Sequence, residues 1–145
     1  MDGRTGTAST SAQWSLALLL IRIASSLAFL YHGSAILFGA FGGPGPVGFS
    51  EHTNMPLPEV YLVGLAQVAG GLAVLLGALT RVGAVCIIIV MLGAIFTVHL
   101  PHGFNVVNNG VEYALTQLLI AAALLITGPG EYSLAGILPE SLRKL

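Results

Sequence analysis

Charge is what this sequence has least of. Of its 145 residues only 8% are Asp, Glu, Lys or Arg, while 55% are hydrophobic. Water-soluble domains carry roughly 25% charged residues, so this chain lacks the polar surface that water would have to cover. The composition predicts one small integral membrane domain whose first partner is the lipid bilayer. Lys and Arg together number five and the formal net charge is -1. That excludes the dense basic surface needed to neutralise phosphates, and with it nucleic acid as a partner. Cysteine is nearly absent too. With Cys86 alone there is neither a CxxC redox pair nor an internal disulfide. Any electron transfer therefore requires a bound cofactor or a partner protein.

What is present is apolar sequence in four blocks. Residues 1–13 read as a polar tail of Gly, Ser and Thr. The apolar run behind them is too long for a signal-peptide core, so the first helix is expected to be retained. That helix is expected over about Trp14 to Phe38, with Ser11 as its cap and Trp14 as an interfacial anchor. The Gly- and Pro-dense stretch that follows, through Leu57, breaks any helix. A second helix starts near Pro58 and runs to about Leu79. On it Ala66, Gly70, Ala73 and Gly77 share one face and form the packing seam. Thr80-Arg81 makes a tight turn, and a third helix spans Val82 to about Leu100, stopped by Pro101. A fourth starts after Asn109, which caps it while Glu112 reaches back, and ends at Gly128. Residues 135–145 form a short amphipathic tail. The expected fold is all-α: an antiparallel four-helix membrane bundle over residues 14–134.

Orientation follows from the cations. Arg4, Arg22, Arg81, Arg143 and Lys144 fall on or nearest one side, which the positive-inside rule makes cytoplasmic. Both termini then lie in the cytoplasm, in the manner of a multi-pass bacterial inner-membrane protein. The histidines His32, His52, His99 and His102 lie on or toward the opposite side, as do Glu51, Glu59 and Glu112.

Counting 1.5 Å per residue puts His32, Gln67 and Gln117 about 8–10 Å below that outer surface. With Tyr31, His99, Glu112 and Tyr113 they define a polar layer, and polar groups at that depth turn inward because lipid offers no hydrogen-bond partner. Such a layer has the donors, acceptors and apolar wall that a quinone head group requires. His32, His99, His102 and Glu112 are ligand types for zinc, iron or copper, but their spacing is unspecific, and a metal is the weaker reading. An interhelical hydrogen-bond network satisfies the same constraints. Arg22, two turns into helix 1, is expected to snorkel to the inner interface; the alternative is an inward position facing an anionic ligand or Glu131. Glu51 and His52 are expected to be solvated in the outer loop, with Trp14, Tyr61 and Tyr132 in aromatic belts.

The series Arg22, Tyr31-His32-Gly33, Gln67 followed by Gly70-Gly71, Leu76-Gly77, Thr80-Arg81, His99-Leu100-Pro101-His102-Gly103-Phe104, Gly110-Val111-Glu112-Tyr113 and Gly128-Pro129-Gly130-Glu131-Tyr132-Ser133-Leu134 resembles the DoxX family of small four-helix membrane proteins. The resemblance covers nearly everything after the first dozen residues. Its most specific parts are the start of helix 4 and the GPGxYSL ending. Ile36, Gln67 and Ala135 depart from the family pattern, standing where relatives often carry lysine, glutamate and aspartate. The resemblance implies a link to membrane oxidoreductase systems, one relative being the small subunit of a thiosulfate:quinone oxidoreductase, and Arg22, His32, His99, Glu112 and Tyr113 as shared polar residues.

The first expectation is therefore an accessory or electron-transfer-linked, quinone-associated subunit, with His32 and His99 on the quinone oxygens and Glu112 relaying protons. The second is a non-catalytic subunit that assembles a larger membrane complex or a homo-oligomer through its small-residue faces. A small-molecule carrier comes third, because no internal repeat is evident.

Overall fold

The computed structural model describes residues 4–145, with side chains from Ser11 onward. Among the described residues all regular structure is helical. Five α-helices occur: α1 Arg4–Phe38, α2 Gly45–Thr53, α3 Leu57–Leu76, α4 Thr80–Ala94 and α5 Glu112–Thr127. Three apolar helical stretches are long enough to cross a membrane, Ser11–Phe38, Leu57–Leu76 and Thr80–His102, and Glu112–Thr127 is apolar but shorter. Leu20, Leu27, Leu62, Leu65, Ile89, Phe96, Leu119 and Ile126 all face outward. Water would penalise such a surface and lipid would not. This is a membrane protein.

The boundaries differ from expectation in ways with local causes. Helix α1 begins at Arg4, so Ser11 lies inside it rather than capping it, and residues 4–13 of the polar tail are helical; Met1 to Gly3 lie outside the described residues. The Gly/Pro-rich connection is not free of helix. After a 3₁₀ turn at Ala40–Gly42 it forms α2, with proline in the first turn, where a missing N–H costs nothing. Helix α3 stops at Leu76 instead of Leu79, because Gly77 adopts φ +68 and closes a Schellman motif: Gly77 N–H donates to Val74 O and Ala78 N–H to Ala73 O. Helix α4 takes up Thr80 and Arg81 into its first turn. After Ala94 it widens into a π-turn over Ile95–His99 and then tightens to 3₁₀ over Leu100–His102, so Pro101 sits inside a helical turn.

Helix α1 packs on α3, α3 on α4, α4 on α5, and α5 returns to α1. Phe29, Val74, Ala84, Ile87, Val90, Met91, Ala114, Ala121 and Leu124 form the enclosed apolar centre. Two seams run along α3. Toward α1, a Cβ on Gly64 would strike Leu37 and one on Gly71 would meet Phe29, while Gly33 of α1 sits tight on Gln67 and Val68. Toward α4, Gly70 and Ala73 meet Gly83. The four small residues expected on one face therefore divide. Gly70 and Ala73 face α4, Ala66 lies partly buried against the apolar centre, and Gly77 is the helix cap beside Arg22.

The ends of α3 and α5 are held by arginines. Arg22 is 1% exposed and does not snorkel. Its Nε donates to Val74 O (2.8 Å), Nη2 to Leu75 O (2.7 Å), and Nη1 to both Pro129 O (2.9 Å) and Tyr132 O (2.7 Å). Arg81 treats α5 similarly: Nε donates to Leu125 O (3.0 Å) and Nη2 to Ile126 O (3.5 Å), while Nη1 holds Lys144 O (2.5 Å). Each guanidinium thus meets the unpaired carbonyls and negative dipole end of a helix C-terminus. No carboxylate serves either one among these bonds, so Arg22 takes the alternative inward position but without the Glu131 pair; Glu131 instead donates its backbone N–H to Ser15 Oγ (3.3 Å).

Candidate functional site

At the end of the molecule away from Arg22 and Arg81, the polar side chains fall into three groups. The first is a set of aromatic rings. His32 of α1 lies 6.1 Å from Tyr113 of α5, centroid to centroid, at a tilt of 59°. Tyr31 meets His32 edge-on at 5.3 Å and stacks on Phe41 at 4.9 Å. Phe41 has φ +56, an uncommon backbone state for a bulky residue, and its ring is the one stacked on Tyr31. Among the described residues no hydrogen bond engages His32, Tyr31 or Tyr113. Gln67 is buried at the same level, against Gly33, and its amide is likewise without a hydrogen bond there.

The second group lies deeper. Ser25 Oγ donates to Gln117 Oε1 at 2.8 Å, both residues buried. Ser25 precedes His32 by two helical turns, about 10 Å. Gln117 is thus not on the level of His32 and Gln67, as counting from helix ends suggested; Tyr113, one turn nearer the helix start, is. The offset arises because α5 begins below the long loop, so equal counts on two helices are not equal heights. Ser25→Ala is expected to cost about 1–2 kcal/mol, since the Gln117 carbonyl is left without a donor. Ser25→Ala with Gln117→Leu should recover most of that loss, and thermal unfolding of the single and double variants in mild detergent measures the difference.

The third group shapes the loop between α4 and α5. His99 Nδ1 donates to Asn109 O (2.8 Å) and His102 Nδ1 to Val98 O (2.8 Å). Since a carbonyl only accepts, each Nδ1 carries a proton, which in the neutral tautomer leaves Nε2 as the acceptor. Asn109 does not cap α5. It has φ +63 and ends a 3₁₀ turn, while Val111 holds the cap position and Asn105 accepts from Val107 N–H (2.9 Å). Nor does Glu112 reach back to Asn109; its Oε2 accepts the backbone N–H of Val106 at 3.0 Å. Glu112 and His99 are thus spent on holding the loop. The sequence missed this because it does not show the loop's path back over the helix start.

The proposed metal ligands do not assemble. His32 stands beside Tyr113, His99 and His102 are tied to separate carbonyls, and Glu112 holds Val106. Among the described residues no group of three or more His, Cys, Asp or Glu side chains is placed to hold a metal ion. Two hollows stand out among the described residues. One, about 490 Å³, lies at the histidine end, where His52, Glu59, Thr97 and His102 are among its walls. The other, about 310 Å³ and shallow, has Arg22 at its base with Leu19, Leu75, Leu76 and Tyr132 around it. Of the residues expected in a pocket, Arg22 alone lines either hollow, at the opposite end from the rest.

Comparison with known proteins places these features in a family. The DoxX family model matches residues 17–100, the stretch carrying Arg22, the Tyr31-His32 pair, both seams of α3 and the π-turn. The chain belongs to the DoxX family. Among curated relatives, an uncharacterized membrane protein of Mycobacterium tuberculosis is 35% identical over 130 residues, covering 81% of this chain and 78% of its own. CatD of Bacillus subtilis, whose name gives it provisionally as an oxidoreductase, is 29% identical over 110 residues, 76% of this chain and 78% of that one. No solved structure matches. In this DoxX protein Ile36 is buried, its Cγ2 3.2 Å from where a Cβ on Gly64 would lie.

Proposed function

We propose that this chain is an accessory subunit of a membrane oxidoreductase system and that a quinone-class head group lodges against His32 and Tyr113. The observation that carries the reading is the meeting of those two rings from different helices with no hydrogen bond of their own. The Gln67 amide at the same level is unbonded as well. A head group with two carbonyl oxygens needs donors on an apolar wall, and this is where the chain keeps donors in reserve. The oxidoreductase name of the Bacillus relative agrees. His99 and Glu112 leave the site, because both are committed to the loop. His32 and Tyr113 take their place, so that His32 donates to one oxygen and the Tyr113 hydroxyl to the other.

In this reading α1, α3, α4 and α5 all span. The 16 residues of α5 give about 24 Å against a hydrocarbon core of about 30 Å, and the segment after Gly128 makes up the difference. The arginine end faces the cytoplasm with both termini, in an inner membrane, and residues 14–134 form the membrane domain. Extracted in mild detergent, the protein is expected to retain quinone. His32→Ala with Tyr113→Phe should lower the retained amount at least tenfold with helical content unchanged. Equal retention would sink the proposal.

A non-catalytic assembly role is favoured by a separate observation, the use of Arg22, Arg81, Gln117 and Glu112 in purely architectural bonds. Under it, mild extraction brings down a stoichiometric membrane partner and no quinone.

A further inference from the structure

The hollow at the histidine end stands apart from the ring site, and its walls have their own chemistry. At about 490 Å³ it falls within the range of small-molecule sites. Its lining comes from the end of α2 (His52, Asn54), the first turn of α3 (Glu59), the π-turn after α4 (Thr97), the 3₁₀ turn that follows (His102) and the loop before α5 (Asn109). Asn54 and Asn109 both have positive φ, 54° and 63°. Such backbone states and π-turns recur where a fold shapes a site.

The lining is rich in acceptors. The Glu59 carboxylate has no ion pair or hydrogen bond among the described residues. His102 spends its Nδ1–H on Val98 O, so that in its neutral tautomer Nε2 is an acceptor. Thr97 donates its hydroxyl proton to Gly93 O (2.8 Å), which leaves the oxygen's lone pairs available. No Lys or Arg lines the hollow. Glu59 in the first turn of α3 does favour that helix dipole, which accounts for its place on the helix but not for the acceptors gathered opposite it. A metal ion is not the match, since no three-ligand set forms. An ammonium group is, because it carries several N–H donors for these acceptors and a positive charge opposite to that of Glu59.

We propose that this hollow binds a primary ammonium group, with Glu59 as its counter-charge and His102 and Thr97 as further acceptors. The group belongs either to a free small amine or to an aminophospholipid head group. The full chain in nanodiscs of phosphatidylcholine and phosphatidylglycerol is titrated with ethanolamine by calorimetry, up to millimolar concentration. In parallel, native mass spectrometry from mixed lipid compares retained phosphatidylethanolamine with phosphatidylcholine. Saturable ethanolamine binding identifies a free amine; selective retention of phosphatidylethanolamine without it identifies the lipid. In either case Glu59→Gln is expected to weaken the effect at least tenfold. Glu51→Gln, on α2 and outside the lining, should leave it unchanged. Thermal unfolding confirms that both variants fold. Absence of both effects, or binding in Glu59→Gln equal to the native chain, overturns the proposal, whatever becomes of the ring site.

Discussion

Arg22→Ala is expected to be the most damaging single substitution in this protein, costing about 3 kcal/mol or more of stability in mild detergent. The guanidinium donates to four carbonyls on two separate segments. Val74 O keeps the Gly77 N–H as a second partner. Leu75, Pro129 and Tyr132 keep none among the described residues, and each such orphaned acceptor costs about 1–3 kcal/mol. Removing a buried cation relieves some desolvation, but the void left beneath the α3 cap offsets that relief. Arg22→Lys should recover less than half of the loss, because an ammonium has three donors and no planar fork to span both α3 and the loop after α5. Thermal unfolding by circular dichroism, with the yield of monodisperse protein, checks both. A fully stable Arg22→Ala variant would mean that the two helix ends are held by other means.

The second large effect is expected at the α3–α4 seam. A Cβ on Gly83 would lie 2.7 Å from Gly70 O and 3.0 Å from Ala73 Cβ. Neither can swing aside, the first being backbone and the second a methyl fixed to it, so the helices must separate. Overpacking of this kind costs about 1–3 kcal/mol, after a gain of up to about 1 kcal/mol from replacing glycine within a helix. Gly93 in the same helix supplies the control. Nothing lies within 4 Å of a Cβ there, so Gly93→Ala should be neutral or stabilising by about 0.5–1 kcal/mol. Unfolding curves of the two variants under one condition separate close approach from helix propensity. Equal behaviour would show that the seam has slack.

The two arginines show why helix patterning reads only part of a membrane protein. By position Arg22 looked like a side chain able to reach the interface. Whether a long cation snorkels or turns inward depends on what faces it, and what faces it is the end of α3 and residues 129–132, distant in sequence by up to 110 positions. The histidines repeat the point. His32 and His99 were expected to work together, but His99 sits on a π-turn with its ring tied to Asn109. No periodicity shows a π-turn in advance. Counting depths from helix ends failed at Gln117 for the same reason, because the relative heights of two helices are set by packing. The hollow lined by His52, Glu59 and His102 had no signal beyond the presence of those residue types. Its walls come from several loops and helix ends that only folding brings together.

Composition and hydropathy by themselves determined that the chain lies in a membrane, and its long unalternating apolar runs pointed to helices, which satisfy their backbone polar groups within their own segment. The motifs that suggested the family begin at Arg22, and the family model matches residues 17–100. Tertiary structure alone decided which polar side chains are committed to architecture and which stand free. Hydrogen bonds such as those of Arg22 and Ser25 join positions far apart in the chain, and a one-dimensional pattern carries no record of those distances.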